Sequence, residues 1–413
     1  MHPLLKNRPF VGLISGRLIT NIGDSLYYIA AMWLVYDLTG SALFTGLAGA
    51  LTLLPQALQF LVGPFVDQWS IRRLLVATQL LNGVFVLIIP LAAFMGRLTV
   101  WLVLVVMPIL SIFNQFVYPA QNAALPRIVE DDDLVDANAA FSFTHQGVNT
   151  AAQAMGGVLV GVIGAISVFT LNAVTFAVAA GLFAIIRIPS VETVAGESVE
   201  MVIESYTDRL RTGIAYVRGT VFVPIFIGNI IVNFTLGVTM AVLPAYADGY
   251  GGPESYGFFV AAVAGGVLVG ALVASPLEQY SLARLMGVGF VASGVFWTIA
   301  IVLHWLPGTV ALLTIAAIPI GVTNVLLATM TQTVVPKDLL GRITSLHMSV
   351  SVAAMPIGSL LGGAAGDAIG ADSVIFAAGI GFLALAVYWV VHPDLRSLPS
   401  IRKIDPAIFG VTM

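Results

Sequence analysis

Apolar stretches long enough to matter recur along the whole chain, from Phe10 to Val391, and short breaks rich in glycine, proline and charge separate them. A helix of about 20 apolar residues crosses a hydrocarbon core about 30 Å thick. The pattern predicts an all-α integral membrane protein with twelve transmembrane helices. The first six are expected at about 10–36, 43–66, 74–94, 99–118, 137–163 and 166–187, with breaks set by Gly, Pro and charge. The second six follow at about 221–247, 255–277, 284–303, 308–333, 342–366 and 373–391, read by the same rules.

An even number of spans returns both termini to one side of the membrane. Lys6, Arg8, Arg72, Arg73, Arg127, Arg187, Arg284, Lys337, Arg342, Arg396, Arg402 and Lys403 all fall on that side, and Arg97 falls on the other. Short cytoplasmic loops accumulate positive charge, so both termini are expected in the cytoplasm and the chain in the cell (plasma or inner) membrane. The one long polar segment lies near the middle, with Glu192, Glu197, Glu200, Glu204 and Asp208 before Arg209 and Arg211. It divides the chain into an N-terminal six-helix bundle (1–188), a cytoplasmic linker (189–219) and a C-terminal six-helix bundle with a short cytoplasmic tail (220–413). Tyr206, Leu210, Ile214 and Val217 have helical spacing, which fits a surface-lying amphipathic helix; a solvated connector fits equally.

The two halves repeat one another. Asp67-Gln-Trp-Ser-Ile-Arg-Arg-Leu-Leu75 aligns with Glu278-Gln-Tyr-Ser-Leu-Ala-Arg-Leu-Met286, Gly16 and Asn21 with Gly228 and Asn233, and Gly156-Gly157 with Gly362-Gly363. A fixed period marks a duplicated architecture. Because six spans separate the copies, corresponding helices run the same way, which predicts parallel six-helix bundles related by a pseudo-twofold axis along the membrane normal.

Composition sharpens this picture. Of the 413 residues 59% are hydrophobic and 9% charged, against about 25% charged in a soluble domain. There is no cysteine, which excludes disulfides, thiolate metal sites and cysteine nucleophiles. A net charge of −4 provides no basic footprint for nucleic acid. No phosphate-binding Gly-x-x-x-x-Gly-Lys-Ser/Thr loop occurs, and no His/Asp/Glu cluster has metal-site spacing, so neither a nucleotide nor a cofactor is expected. No nucleophile–base constellation points to an enzyme. The apolar run after Lys6 and Arg8 continues past Asp24 to about Tyr36, too long for a signal-peptide core, and is read as a retained first helix.

Three segments carry a family resemblance. The loop Gly63-Pro-Phe-Val-Asp67-Gln-Trp-Ser-Ile-Arg72-Arg73 resembles the signature loop of the major facilitator superfamily: a glycine, an aspartate four residues on, then a basic cluster. Pro119-Ala-Gln-Asn-Ala-Ala-Leu-Pro126 with Leu134-Val-Asp-Ala-Asn138, and Val335-Pro-Lys-Asp-Leu-Leu-Gly-Arg342, resemble the drug-exporter branch that includes macrolide and siderophore efflux permeases. The chain departs from the family at Gln68, where a basic residue is usual, and at Ala152-Gln153, where antiporters carry a Gly-Pro pair. The resemblance implies a secondary transporter working by alternating access, and a latch role for Asp67 that favours the outward-open state.

A charged side chain near the bilayer centre costs at least about 2.5–3.5 kcal/mol, so such residues are functional candidates. Asp24 is the clearest, and Arg17 and Asn21 precede it by seven and three residues, on one helix face. A proton-coupled carrier needs a carboxyl group that changes protonation state inside the membrane; a structural pair holding the helix is the bland alternative. The latch set is Asp67 against the start of the eleventh helix, with Arg72, Arg73 and, by the repeat, Glu278 facing the start of the fifth. Topology alone would also account for the two arginines. Gln56, Asn149, Asn233 and Asn324 are midplane amides, with Gln59, Asn114, Gln153 and Asn229 displaced from it; they either line a cavity or bridge helices. His145 and His347 are possible proton relays or packing residues. Asp133 or Asp136 is expected to cap the fifth helix.

These readings converge on proton-coupled efflux of small amphipathic compounds, of the multidrug antiporter kind, by a monomer in the lipid bilayer. Lipid flipping, nutrient import and a non-transporting sensor or scaffold remain alternatives on the same fold.

Overall fold

The computed structural model describes residues 3–56, 62, 69–189, 207–208 and 211–404. Gln59, the first part of the signature loop (63–68, with Asp67) and most of the linker lie outside the described residues. Twelve helices of twelve residues or more are described: α1 (Arg8–Thr39), α2 (Ala42–Leu53), α3 (Ile71–Phe94), α4 (Val100–Ile128), α5 (Leu134–Ile163), α6 (Ala165–Ile185), α7 (Phe222–Asp248), α8 (Pro253–Leu277), α9 (Leu282–Leu303), α10 (Leu306–Val334), α11 (Lys337–Ile369) and α12 (Ala371–Val391), followed by the short α13 (Pro393–Arg396). Nine of these are long and apolar enough to cross a membrane.

Local chemistry explains the boundaries. Asn7 caps α1 by accepting a hydrogen bond from the Phe10 N–H at 3.1 Å, and Gly40 ends the helix in the left-handed region at φ 62°. Thr99 caps α4 through the Leu102 N–H. Asp133 occupies the N-cap position of α5 without a side-chain hydrogen bond to the helix, so the expected carboxylate cap is not made there. Gly164 and Gly370 separate α5 from α6 and α11 from α12 at φ 79° and 88°. Neither glycine has a neighbour where a Cβ would stand, so backbone conformation alone requires glycine at both hinges. Two boundaries differ from expectation. The second helix, expected to about 66, is described only to Leu53, most of the rest of that span lying outside the described residues. The other is α4, which runs through Pro119 and Pro126 to Ile128, about ten residues beyond the expected end. Each proline removes one N–H, but neighbouring helices can support the helix around it in a membrane protein.

The chain forms two compact units, one of Met1–Gly40 with Leu51–Glu204, the other of Ser41–Ala50 with Ser205–Met413. Inside the first, α6 packs on α1 and α3, α5 on α1, and α4 on α3. Inside the second, α12 packs on α7 and α9, α11 on α7, and α10 on α9, which is the same scheme six helices later. Matching contacts recur in detail: Gly16 faces the Phe183 ring, and Gly228 faces Trp389. Outward faces are apolar, as at Val84 (62% exposed), Leu91 (58%) and Val302 (63%). A water-soluble protein rarely leaves such faces bare; lipid is their solvent. In the linker, residues 211–217 are helical with Val217 buried and Ile214 exposed, which fits a short amphipathic turn.

Candidate functional site

Unit 1 carries the richest polar interior. Asp24, midway along α1, is partly exposed, and one of its carboxylate oxygens accepts a hydrogen bond from Asn114 Nδ2 of α4 at 3.0 Å. The Asn114 carbonyl oxygen accepts in turn from Asn82 Nδ2 of α3 at 2.7 Å. Three helices thus contribute to one line of amide donors that ends on the carboxyl group. Since an amide N–H can only donate, both bonds point toward Asp24 and favour an acceptor there.

Seven residues back along α1, Arg17 is 3% exposed. Its guanidinium donates to Gln121 Oε1 at 2.7 Å and lies over the rings of Tyr118 and Phe141, 4.8 and 5.3 Å from their centroids. Gln121 is likewise seven residues beyond Asn114, so the two polar contacts share one antiparallel register between α1 and α4. Aromatic faces stabilise a buried cation by about 2 kcal/mol when water is excluded. Asn21, between the two, donates to the Thr144 carbonyl of α5 at 2.9 Å and ties those helices together. Of the three residues that the sequence places on one face of α1, Arg17 and Asp24 find their hydrogen-bond partners on α4 and Asn21 finds its own on α5.

Unit 2 holds a smaller polar site at the repeat-equivalent place. Asn229 Nδ2 and His347 Nε2 are 2.9 Å apart, and the imidazole packs on Phe226 at 5.3 Å. By the repeat these positions correspond to Arg17 and Phe141, so the same pair of helix positions carries a cation over a ring in one unit and an amide against an imidazole in the other. Asn229 and Asn324 line a cavity of about 10 Å³ with Thr323 and Trp389, about enough space for one water. Asn233 does not join it in hydrogen bonding; its amide donates back to the Asn229 carbonyl on its own helix.

Other expected residues are scattered. Gln56 is exposed just after α2. Arg72 is exposed and donates to the Ala184 carbonyl near the end of α6, an arrangement that satisfies a helix C-terminus; Arg73 is exposed beside it. Glu278 is the residue that ends α8. The side chains of His145 and Asn149 lie outside the described residues, as does Asp67. Asn82, Gln121 and Tyr118 were not singled out in the sequence. A polar residue inside an apolar span was the available signal for the two amides, but nothing in spacing says which helices meet.

The family model for transmembrane secretion effectors matches residues 2–405. The chain is 28% identical over 382 residues to the uncharacterized MFS-type transporter YvqJ of Bacillus subtilis, covering 90% of this chain and 89% of that one. It is 23% identical over 410 residues to macrolide efflux protein A of Streptococcus pyogenes (96% and 97% covered). Against the multidrug efflux pump Tap of Mycolicibacterium fortuitum it is 25% identical over 413 residues (96% and 99%). Among solved structures, a bacterial homologue of the human lysosomal transporter Spinster superimposes with a TM-score of 0.71 at 15% identity, covering 95% of this chain and 96% of that one. A bacterial homologue of the iron transporter ferroportin gives 0.65 at 15% identity (93% and 99%). Identities this low carry the fold alone, whereas the family match spans nearly the whole sequence. The chain belongs to the transmembrane secretion effector family of major facilitator transporters.

Proposed function

We propose that this transporter exports small amphipathic compounds in exchange for protons, by alternating access, with Asp24 as the group that gains and loses the coupling proton. The observation that carries the reading is the line of amides from Asn82 through Asn114 to a carboxyl group inside a membrane-spanning helix. A carboxyl group there costs stability, and an inert scaffold gains nothing in return for it. Relatives named as macrolide and multidrug efflux proteins support export of drug-like molecules. The excess of arginine and lysine on one side supports cytoplasmic termini. Asp67 serves, in this reading, as a cytoplasmic latch against the start of the eleventh helix, with Glu278 its repeat counterpart. One proton entering across about 100 mV supplies about 2.3 kcal/mol, enough for a roughly 50-fold substrate gradient.

The test is uptake of a panel of fluorescent amphipathic compounds into everted membrane vesicles under an imposed pH gradient. Wild-type uptake that collapses with an uncoupler and is missing in Asp24→Asn, at equal inserted protein, is the expected result. Gradient-driven uptake by Asp24→Asn equal to wild type would remove the coupling role. No uptake of any compound by the wild type would move lipid flipping or nutrient import to the front.

A further inference from the structure

On the lipid-facing side of unit 2, α9 and α12 leave an open groove of about 410 Å³ between them. That volume lies in the range of small-molecule sites, about 300–1,000 Å³. Its walls are apolar along the membrane depth, with Val288 71% exposed and Val390 58%. Gly287 lets the two helices close at its floor, since a methyl group there would stand 3.2 Å from the Val390 side chain. At the loop end of the same groove stand Arg284, in the first turn of α9, and Arg396, the last residue of α13. Both are exposed, and among the described residues neither guanidinium has a hydrogen-bond or ion-pair partner.

The end of the chain is built to hold Arg396 there. Ser281 Oγ donates to the Leu398 carbonyl at 2.8 Å, and the N–H groups of Leu282 and Ala283 donate to the Pro399 and Leu398 carbonyls at 3.1 and 3.4 Å. The first turn of α9 would otherwise present unsatisfied N–H groups; here the segment after α13 takes them up. Leu395 and Leu398 are buried beneath it, at 0% and 3% exposure. Two cations with no partner among the described residues thus stand at one end of an apolar slot.

We propose that this groove is a binding site for an anionic phospholipid, whose phosphodiester is held by Arg284 and Arg396 and whose acyl chain lies along Val288, Val291 and Val390. Charge complementarity decides the occupant. A zwitterionic lipid would fill the slot but would bring a cationic group toward two guanidiniums, whereas a phosphodiester is met by planar, multidentate donors. With the arginine-rich side taken as cytoplasmic, the lipid belongs to the inner leaflet, where anionic headgroups attract basic pockets between helices.

The experiment is native mass spectrometry of the purified full-length chain, released from detergent with added phosphatidylglycerol or phosphatidylcholine. The wild type is expected to retain phosphatidylglycerol preferentially. The double variant Arg284→Gln/Arg396→Gln should weaken that retention by about 10-fold or more, given about 5-fold for each arginine near an anionic surface. Val288→Trp, which fills an exposed position without changing charge, should weaken it too. Arg402→Gln/Lys403→Gln removes two charges from the same segment outside the groove and should leave it unchanged. Equal retention of both lipids by the wild type overturns the proposal. So does full retention by both groove variants, or a loss in the Arg402/Lys403 control as large as that in the arginine pair.

Discussion

Asp367, in the last turn of α11, accepts a hydrogen bond from the backbone N–H of Ala42, the first residue of α2, at 2.7 Å; its other carboxylate oxygen accepts from Ser41 Oγ at 2.5 Å. A carboxylate at a helix N-terminus satisfies free N–H groups and meets the positive end of the helix dipole. Along the same seam Ser359 Oγ donates to the Gly46 carbonyl at 3.0 Å, which explains why residues 41–50 fold with unit 2 although they begin the second helix. Gly363 and Gly366 receive them, since a methyl group on either would stand against Ala42 or Gly46, whereas Gly358 and Gly362 face α7.

Loss of that carboxylate should free the start of α2. Charge-assisted hydrogen bonds stabilise by about 1.5–3 kcal/mol, so Asp367→Ala is expected to raise the population of the detached segment about 10-fold or more. The chain has no cysteine, which makes Ala42→Cys a clean reporter. Maleimide labelling of Ala42→Cys should accelerate by that factor in the Asp367→Ala background, and an unchanged rate would show that the packed glycines alone hold the segment.

The amide line should matter to transport in order of distance from the carboxyl group. Asn114→Leu removes the donor to Asp24 and is expected to lower gradient-driven uptake at least about 10-fold, the effect of losing one hydrogen bond to a charged group. Asn82→Leu should cost less, because Asn114 keeps its own bond to Asp24. Equal insertion and equal melting of both variants must accompany the readout, and a larger loss for Asn82→Leu than for Asn114→Leu would contradict the order.

Arg17→Lys tests whether Arg17 contributes charge alone or its planar shape. An ammonium retains the charge but cannot lie flat over Tyr118 and Phe141 while reaching Gln121. A destabilisation of about 1–3 kcal/mol is expected from the lost stacking and hydrogen bond, seen as a lower melting temperature of the solubilised protein. Melting identical to wild type would assign Arg17 a purely electrostatic role.

Two crossings between α8 and α10 depend on absent side chains. A methyl group at Gly270 would stand 2.0 Å from the Ile318 carbonyl oxygen, and one at Gly321 2.0 Å from that of Val267, whereas one at Gly265 would meet nothing within 4 Å. Gly321→Ala is therefore expected to cost about 1–3 kcal/mol through overpacking, and Gly265→Ala to be neutral or better. Side-by-side thermal denaturation in one detergent decides it; equal melting of the pair would mean the crossing relaxes freely.

Much of the architecture was legible because hydrophobic length reports directly on membrane crossing. All twelve helices start within about five residues of the expected positions and ten end near them, a margin usual for boundaries; α2 is described only to Leu53, against an expected end near 66. The other exception in length, α4, was cut short at Pro119 because proline ends helices in water, where the freed carbonyl is readily solvated; inside a packed bundle the helix continues. That extension carries Gln121 to Arg17, so the same misjudged proline hid one of the site's polar partners.

By itself the sequence determined that this is a helical membrane protein of two repeated halves, that Asp24 sits in an apolar span, and that Arg17 and Asn21 share its helix face. These follow from composition and from the periodicity of a single helix, both of which are local. Only the tertiary structure decided that Asn114 and Asn82 lead to Asp24, that Arg17 rests on two rings, that residues 41–50 join Asp367, and that Arg284 meets Arg396 above one groove. Each of these depends on which helices are neighbours and in what register. Lipid-like helix surfaces carry little of that information in their residue pattern, because van der Waals packing and a few interhelical hydrogen bonds, rather than burial of apolar surface from water, select the partners.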